Sequence, residues 1–174
     1  MEIQLDIPEE LCYLEGQLFD DYIYDMDISQ KFAVENRKEM ANRILKYLGL
    51  DLSKVEYFET IHNYINMKDM ILRKGAISAY EDEMVLIPIN MRDGCILAKG
   101  KSNPDYNYSA PHGAGRILSR HTAAQKIALE DYIESMKGIY TTSVNKKTID
   151  ESPFAYKPIE SIIENIGDTV DIIE

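Results

Sequence analysis

Apolar residues at Tyr22, Met26, Phe32, Ala33, Met40, Ile44, Leu45 and Leu48 recur at steps near three and four. That period places side chains on one face of an α-helix. The spacing predicts a helix over 20–48, closed by Gly49, a residue that readily adopts the left-handed conformation after a helix end. Asn36 and Arg37 fall in the middle of it, where a solvent face and a site role are both open. Beyond Asp51 the texture changes to short apolar runs broken by Gly, Pro and Asn, predicting strands over 55–61, 70–72, 76–78, 84–87 and 95–97. The run Met84-Val-Leu-Ile87 is continuously apolar and predicts a strand buried on both faces. A second helix is expected from the end of Pro111-His-Gly-Ala-Gly115 to about Met136, stopped by Gly138. Residues 139–144 read as a strand, 157–166 as a helix opened by Pro158, and 168–174 as a last strand with no evident partner. The class is α+β: one domain over 1–174, a mixed sheet with flanking helices.

Composition narrows the setting. The 174 residues, 45% apolar and 28% charged, are those of a globular domain. No apolar run approaches the ~20 residues that span a bilayer. The opening Met-Glu-Ile-Gln-Leu-Asp6 has no basic stretch of the kind that begins a secretion signal. Cys12 and Cys95 stand far apart and in no ligand spacing, which suggests a reduced, cytoplasmic protein. The net charge is −11, which argues against a broad nucleic-acid groove. The charge is uneven, however. Residues 1–50 carry 11 acids against 5 bases, whereas Arg92 to Lys126 carries 6 bases against 2 acids. A basic island in an acidic chain suits a local phosphate site.

That island holds Ser109-Ala-Pro-His-Gly-Ala-Gly-Arg-Ile-Leu-Ser-Arg120. His112 is followed by small residues that let a bulky ester approach its ring. Arg116 and Arg120, four apart, would share one face of a helix. Backbone amides and guanidinium groups stabilise developing phosphate charge. A neutral imidazole can attack phosphorus directly to give a phosphoramidate. His62 with Asn63 follows the 55–61 run. A hydrogen-bonded structural histidine and a single metal ligand are both open there, since one histidine does not make a metal site. Arg73-Lys-Gly-Ala76 reads as a phosphate contact or as a turn with solvated charges. Pro88-Ile-Asn-Met-Arg-Asp-Gly94 follows an apolar strand, where ligand-binding loops are common. His121 has no assigned role. Tyr106, Tyr108, Tyr140 and Tyr156 read as packing residues, with Tyr156 also able to stack on a base. No Walker A, dinucleotide-binding or Gly-x-Ser-x-Gly pattern occurs.

Taken in order, Asn36-Arg37, His62-Asn63-Tyr64, Arg73-Lys-Gly-Ala76, Pro88 with Met91, His112-Gly-Ala-Gly-Arg116 with Ser119-Arg120, and Asp150-Glu-Ser-Pro-Phe-Ala-Tyr-Lys157 resemble the RtcB family of RNA-splicing ligases. The resemblance implies a GTP- and manganese-dependent ligase joining RNA 3′-phosphate (or 2′,3′-cyclic phosphate) and 5′-hydroxyl ends. His112 would be the nucleophile that becomes guanylylated, and His62 one manganese ligand. His62, Asn63, Pro88, Ile89, Asn90, Met91, Cys95, His112, Gly113, Ala114, Gly115 and Tyr156 would surround the cofactor. Two departures stand out: Pro88-Ile-Asn-Met-Arg92 replaces the family's Pro-Gly-Ser-Met-Gly, and Cys95 replaces a small hydroxyl residue. The family's other metal ligands, an Asp, a Cys and further histidines, have no counterpart here. The chain therefore reads as the C-terminal portion of such a ligase domain, incomplete at both ends, whose partner is a missing N-terminal half or a companion chain. A non-catalytic fragment that binds nucleotide or another chain is the alternative.

Overall fold

The computed structural model describes residue 8 and residues 12–174. The N-terminal hexapeptide inspected above for a secretion signal lies outside them. The chain divides into two compact units, Met1–Tyr57 and Phe58–Glu174.

In the first unit the helical period is realised as α1, Gly16–Tyr47, about 48 Å long at 1.5 Å per residue. Lys31 pairs with Asp27 at 2.5 Å and Arg43 with Glu39 at 2.7 Å, both one turn apart. Gly49 follows the helix with φ +75°, and Leu50 N–H closes the end on the Leu45 carbonyl. The face that is partly covered is not the expected one. Ile23, Met26, Gln30, Ala33, Val34, Arg37, Ala41 and Leu45 form a half-buried stripe, while Tyr22, Phe32, Met40, Ile44 and Leu48 are exposed. Asn36 is exposed and Arg37 half-buried.

In the second unit, β1 (Asn63–Asn66) and β2 (Ile71–Lys74) form a hairpin. Strand β3 (Ala76–Ser78) leaves it, followed by β4 (Met84–Asn90) and β5 (Gly94–Gly100). Next come β6 (Ser109–Pro111), α2 (Arg120–Lys126), α3 (Leu129–Ser135), α4 (Ile159–Ile166) and β7 (Val170–Ile172). The class is α+β as expected. Its pairing among the described residues is antiparallel throughout, in three small sheets (β1–β2, β3–β6 and β4–β5–β7) rather than one mixed sheet.

Strand β4 alternates instead of burying both faces: Val85, Ile87 and Ile89 point into the core while Pro88 is exposed. Ile96 and Ala98 of β5 share that inner face, and Ile162 and Ile166 of α4, one turn apart, cover it. Fully burying each such aliphatic side chain stabilises by about 1.5–3 kcal/mol. A second cluster gathers Tyr132, Met136 and Ile149, with Met91 and Ile127 packed on it.

Several expectations fail locally. Residues 55–61 form no strand and join no strand pairing, and Asn63, just after His62, opens β1 instead of following a preceding strand. The single helix expected to Met136 is two. Arg116 is held in a β-bridge to Tyr156, so helix α2 starts only after the Ser119 cap, whose hydroxyl accepts from Thr122 N–H. Ile127 and Ala128 then take extended backbone, although neither a glycine nor a proline marks the break. Residues 139–144 are irregular, and Tyr140 is 95% exposed instead of packed. The closing strand does have a partner, since β7 pairs with β5, Ala98 opposite Ile172.

Gly100 ends β5 in close contact with the preceding chain. A Cβ there would lie 2.2 Å from the Tyr80 carbonyl oxygen. Backbone cannot yield cheaply, so Gly100→Ala is expected to cost about 3 kcal/mol, read as a lowered urea midpoint with unchanged slope.

Candidate active site around His112

A cavity of about 720 Å³ opens in the second unit. It is lined by His62, Pro88, Ile89, Asn90, Met91, Cys95, His112, Gly113, Ala114, Gly115 and Tyr156, which the sequence had singled out. Thr60, Ile77, Gly94, Arg116, Arg120 and Glu151 line it too. The strands explain this convergence: β4 and β5 bring their turn to one side, β6 ends at His112, and β1 begins beside His62. Asn63 is the exception. Its side-chain oxygen accepts from Gly75 N–H at 3.3 Å, tying down the backbone beside the cavity.

His112 is exposed, yet its ring is oriented from two sides. Its Nδ1 lies 2.5 Å from the Gly75 carbonyl oxygen. A carbonyl only accepts, so Nδ1 carries the proton, and in the neutral ring Nε2 keeps its lone pair. The ring also stacks on His62, centroids 5.1 Å apart and planes 15° apart. Gly75 has φ +73°, and a Cβ on it would lie 3.5 Å from the His112 ring.

One of the amides after His112 is already committed to the protein. Ala114 N–H donates to the Pro88 carbonyl at 3.0 Å, and a Cβ on Gly113 would come within 3.1 Å of that oxygen. Small residues here let the loop lie directly against β4. The Gly115 carbonyl in turn accepts from Lys157 N–H at 3.1 Å.

Arg116 and Arg120 do meet, though not along a helix face. Both reach Glu151, at 3.3 Å and 3.8 Å. Arg116 also donates to the Leu118 and Asp150 carbonyls and to the Tyr156 hydroxyl, and its guanidinium carbon sits 4.9 Å from the centre of the Tyr156 ring. Its donors are largely committed to structure. Arg120 is looser, with its side chain 78% exposed and its ion pairs to Asp150 and Glu151 at 3.8 Å. Tyr156 donates to Glu151, and burial, followed by that carboxylate, raises its phenol above the usual tyrosine range. It braces Arg116, which covers one face of its ring.

Asn90 is likewise occupied. Its side-chain oxygen accepts from both Arg92 N–H and Asp93 N–H at 3.0 Å, and its amide donates to the Asp93 carboxylate at 2.8 Å. It closes the β4–β5 turn. Met91 accepts from the Tyr132 hydroxyl at 3.3 Å, anchoring that turn in the second cluster. Cys95 faces Pro88 across the strand pair with an exposed thiol. Arg73, expected at a phosphate or in solvent, is instead 2% exposed, with a hydrogen bond from each guanidinium nitrogen. His121 hydrogen-bonds with Gln125 at 3.0 Å.

The residues do not form a manganese site by themselves. Among the described residues no group of three or more His, Cys, Asp or Glu side chains is placed to hold a metal ion. His62 supplies one ligand at most, where divalent transition ions take several. No described helix is long and apolar enough to cross a membrane.

A family model described as tRNA-splicing ligase RtcB matches residues 3–174. The chain belongs to the RtcB family. It is 30% identical over 178 residues to the RNA-splicing ligase RtcB1 of Escherichia coli, covering 92% of this chain and 43% of that protein. The RNA-splicing ligase RtcB of Escherichia coli strain K12 is 29% identical, with the same shares covered. The tRNA-splicing ligase RtcB of Aeropyrum pernix is 34% identical over 131 residues, 66% of this chain and 27% of that one. The chain thus spans less than half the length of these RtcB relatives.

Asp93 gives the turn a pH dependence. The hydrogen bond from Arg92, then that from Asn90, holds its carboxyl below the usual carboxylate range. A lowered folded-state value means that the stabilisation is present above the unfolded carboxylate range and is lost as pH falls through the folded one. The urea midpoint should therefore drop on acidification below about pH 4, and the drop should be smaller in Asp93→Asn.

Proposed function

We propose that this chain carries the nucleophile of an RNA ligase that joins a 3′-phosphate (or 2′,3′-cyclic phosphate) end to a 5′-hydroxyl end, with GTP as the activating substrate. One observation carries the reading: the Gly75 carbonyl fixes the proton of His112 on Nδ1, so Nε2 is the nitrogen with the lone pair, beside a cavity of about 720 Å³. That volume is in the usual range for a small-ligand site, about 300–1,000 Å³. Membership of the RtcB family and the names of the relatives support RNA ligation in particular.

In this reading Nε2 attacks the α-phosphorus of GTP. A P–N bond forms as the bond to the β-phosphate oxygen breaks, and pyrophosphate leaves. Where the RNA ends in a 2′,3′-cyclic phosphate, water first adds to the phosphorus and breaks its bond to the 2′-oxygen, leaving a 3′-phosphate and a 2′-hydroxyl. An oxygen of the 3′-phosphate then attacks the guanylate phosphorus and releases His112. The 5′-hydroxyl finally displaces GMP from the activated end and loses its proton, forming the phosphodiester. Arg120, the guanidinium here with donors least committed to the protein, meets phosphate charge. Arg116, Tyr156 and Glu151 hold Arg120 and the loop in place, and Pro88 carries the loop that follows His112. Manganese would need ligands beyond His62 that these residues do not provide. The additional length of the relatives makes a second polypeptide, or a further part of the same one, the source we assign for them.

The test uses α-labelled GTP with manganese. The chain alone should stay unlabelled. Mixed with the N-terminal part of a longer relative it should acquire an acid-labile label, reduced at least about 1,000-fold in His112→Ala, as expected for loss of a nucleophile. A label that survives His112→Ala would refute the assignment of the nucleophile. Nucleotide binding without any label in the mixture would favour the non-catalytic reading.

A further inference from the structure

The tautomer of His112 depends on where one carbonyl points, and that carbonyl sits at a junction. Gly75 carries the chain from β2, paired with β1, to β3, paired with β6. Glycine takes φ +73° without the strain another residue would meet there. Its N–H donates to the His62 carbonyl at 2.9 Å and its carbonyl accepts from His112. The angle between the two small sheets therefore decides whether both bonds can form at once.

Arg73, two residues before the joint, spans those sheets. Its Nε donates to the Ser109 hydroxyl at 2.8 Å on β6, and its Nη2 to the Asn107 and Tyr108 carbonyls at 3.1 and 3.2 Å. Its Nη1 donates to the Tyr64 hydroxyl at 3.2 Å on β1. The guanidinium carbon lies 5.6 and 5.5 Å from the Tyr64 and Tyr80 ring centres. The nearest carboxylate in this network, Asp69, is reached through the Tyr80 hydroxyl, which donates to it. A buried cation without a directly bonded carboxylate is costly, and only a planar fork of five donors satisfies these partners together.

We propose that Arg73 is a positioning residue for His112. By riveting β2 to the 107–109 segment it aims the Gly75 carbonyl at Nδ1 and keeps Nε2 unprotonated. Arg73 touches no substrate in this scheme. The value of this to ligation rests on the reading of His112 as nucleophile, whereas the tautomer itself does not.

The experiment is a long-range ¹H–¹⁵N correlation spectrum of the full chain with ¹⁵N-labelled histidine, recorded above the imidazole titration range at about pH 8.5. In the wild type His112 should show a protonated Nδ1 and a bare Nε2. In Arg73→Lys the ratio of the two tautomers should shift by about fivefold toward Nε2–H, the factor for weakening one hydrogen bond, with the circular dichroism spectrum retained. Should Arg73→Lys fail to fold, Ser109→Ala, which removes one guanidinium partner, is read in the same way. A His112 spectrum unchanged in the folded variant overturns the proposal, as does a wild type carrying its proton on Nε2. Because no nucleotide is present, failure of the GTP-labelling experiment leaves this result standing, and a His112 spectrum unchanged in Arg73→Lys leaves the labelling result standing.

Discussion

Two pairs of short strands meet at Gly75, and the geometry of the histidine site follows from that junction. The glycine N–H and carbonyl are both spent there, on the His62 carbonyl and on His112 Nδ1. A residue with a side chain would find the positive φ strained, although its Cβ would make only ordinary contact with the imidazole. One backbone position thus stacks two histidines and sets the proton of one. Strands of three or four residues are too short to hold such an arrangement alone. The buried Arg73 supplies the missing rigidity by satisfying its donors on three segments at once.

Around this junction the polar residues divide by whether their hydrogen-bonding capacity is already used. Asn90 and Arg116 line the cavity but spend nearly all of their donors and acceptors on turn closure and on the 150–156 loop. The Tyr156 hydroxyl binds Glu151 and Arg116. His112 and Arg120 hold capacity in reserve. Preorganised sites have this division, in which most of the polar wall is rigid so that a few groups can act from fixed positions.

Membership of the RtcB family accounts for the order of the motifs. The chain covers 43% of the length of its Escherichia coli relatives, and among its described residues no three His, Cys, Asp or Glu side chains converge. α1 has none of its 32 residues buried, and Phe32, Ile44 and Tyr24 on it are exposed.

Local chemistry made much of this legible in the sequence. The apolar period gave α1 and α4, the alternation of apolar runs with Gly and Asn gave β3, β4 and β5, and one histidine among small residues marked the cavity, since those signals depend on neighbours in the chain. The same signals misjudged 55–61 and 139–144, because a strand exists only if another strand pairs with it. They also gave β4 two buried faces, and α4 covers one. Thr60 was silent, being an ordinary residue two positions before His62. Arg73 was read as a solvated or phosphate-bound cation because its partners, Ser109 and the Asn107 and Tyr108 carbonyls, lie more than thirty positions away. Sequence alone determined which residue types are present and which short elements they favour. Tertiary structure decided which nitrogen of His112 bears the proton and which arginine remains available, because both depend on hydrogen bonds between segments that only folding brings together.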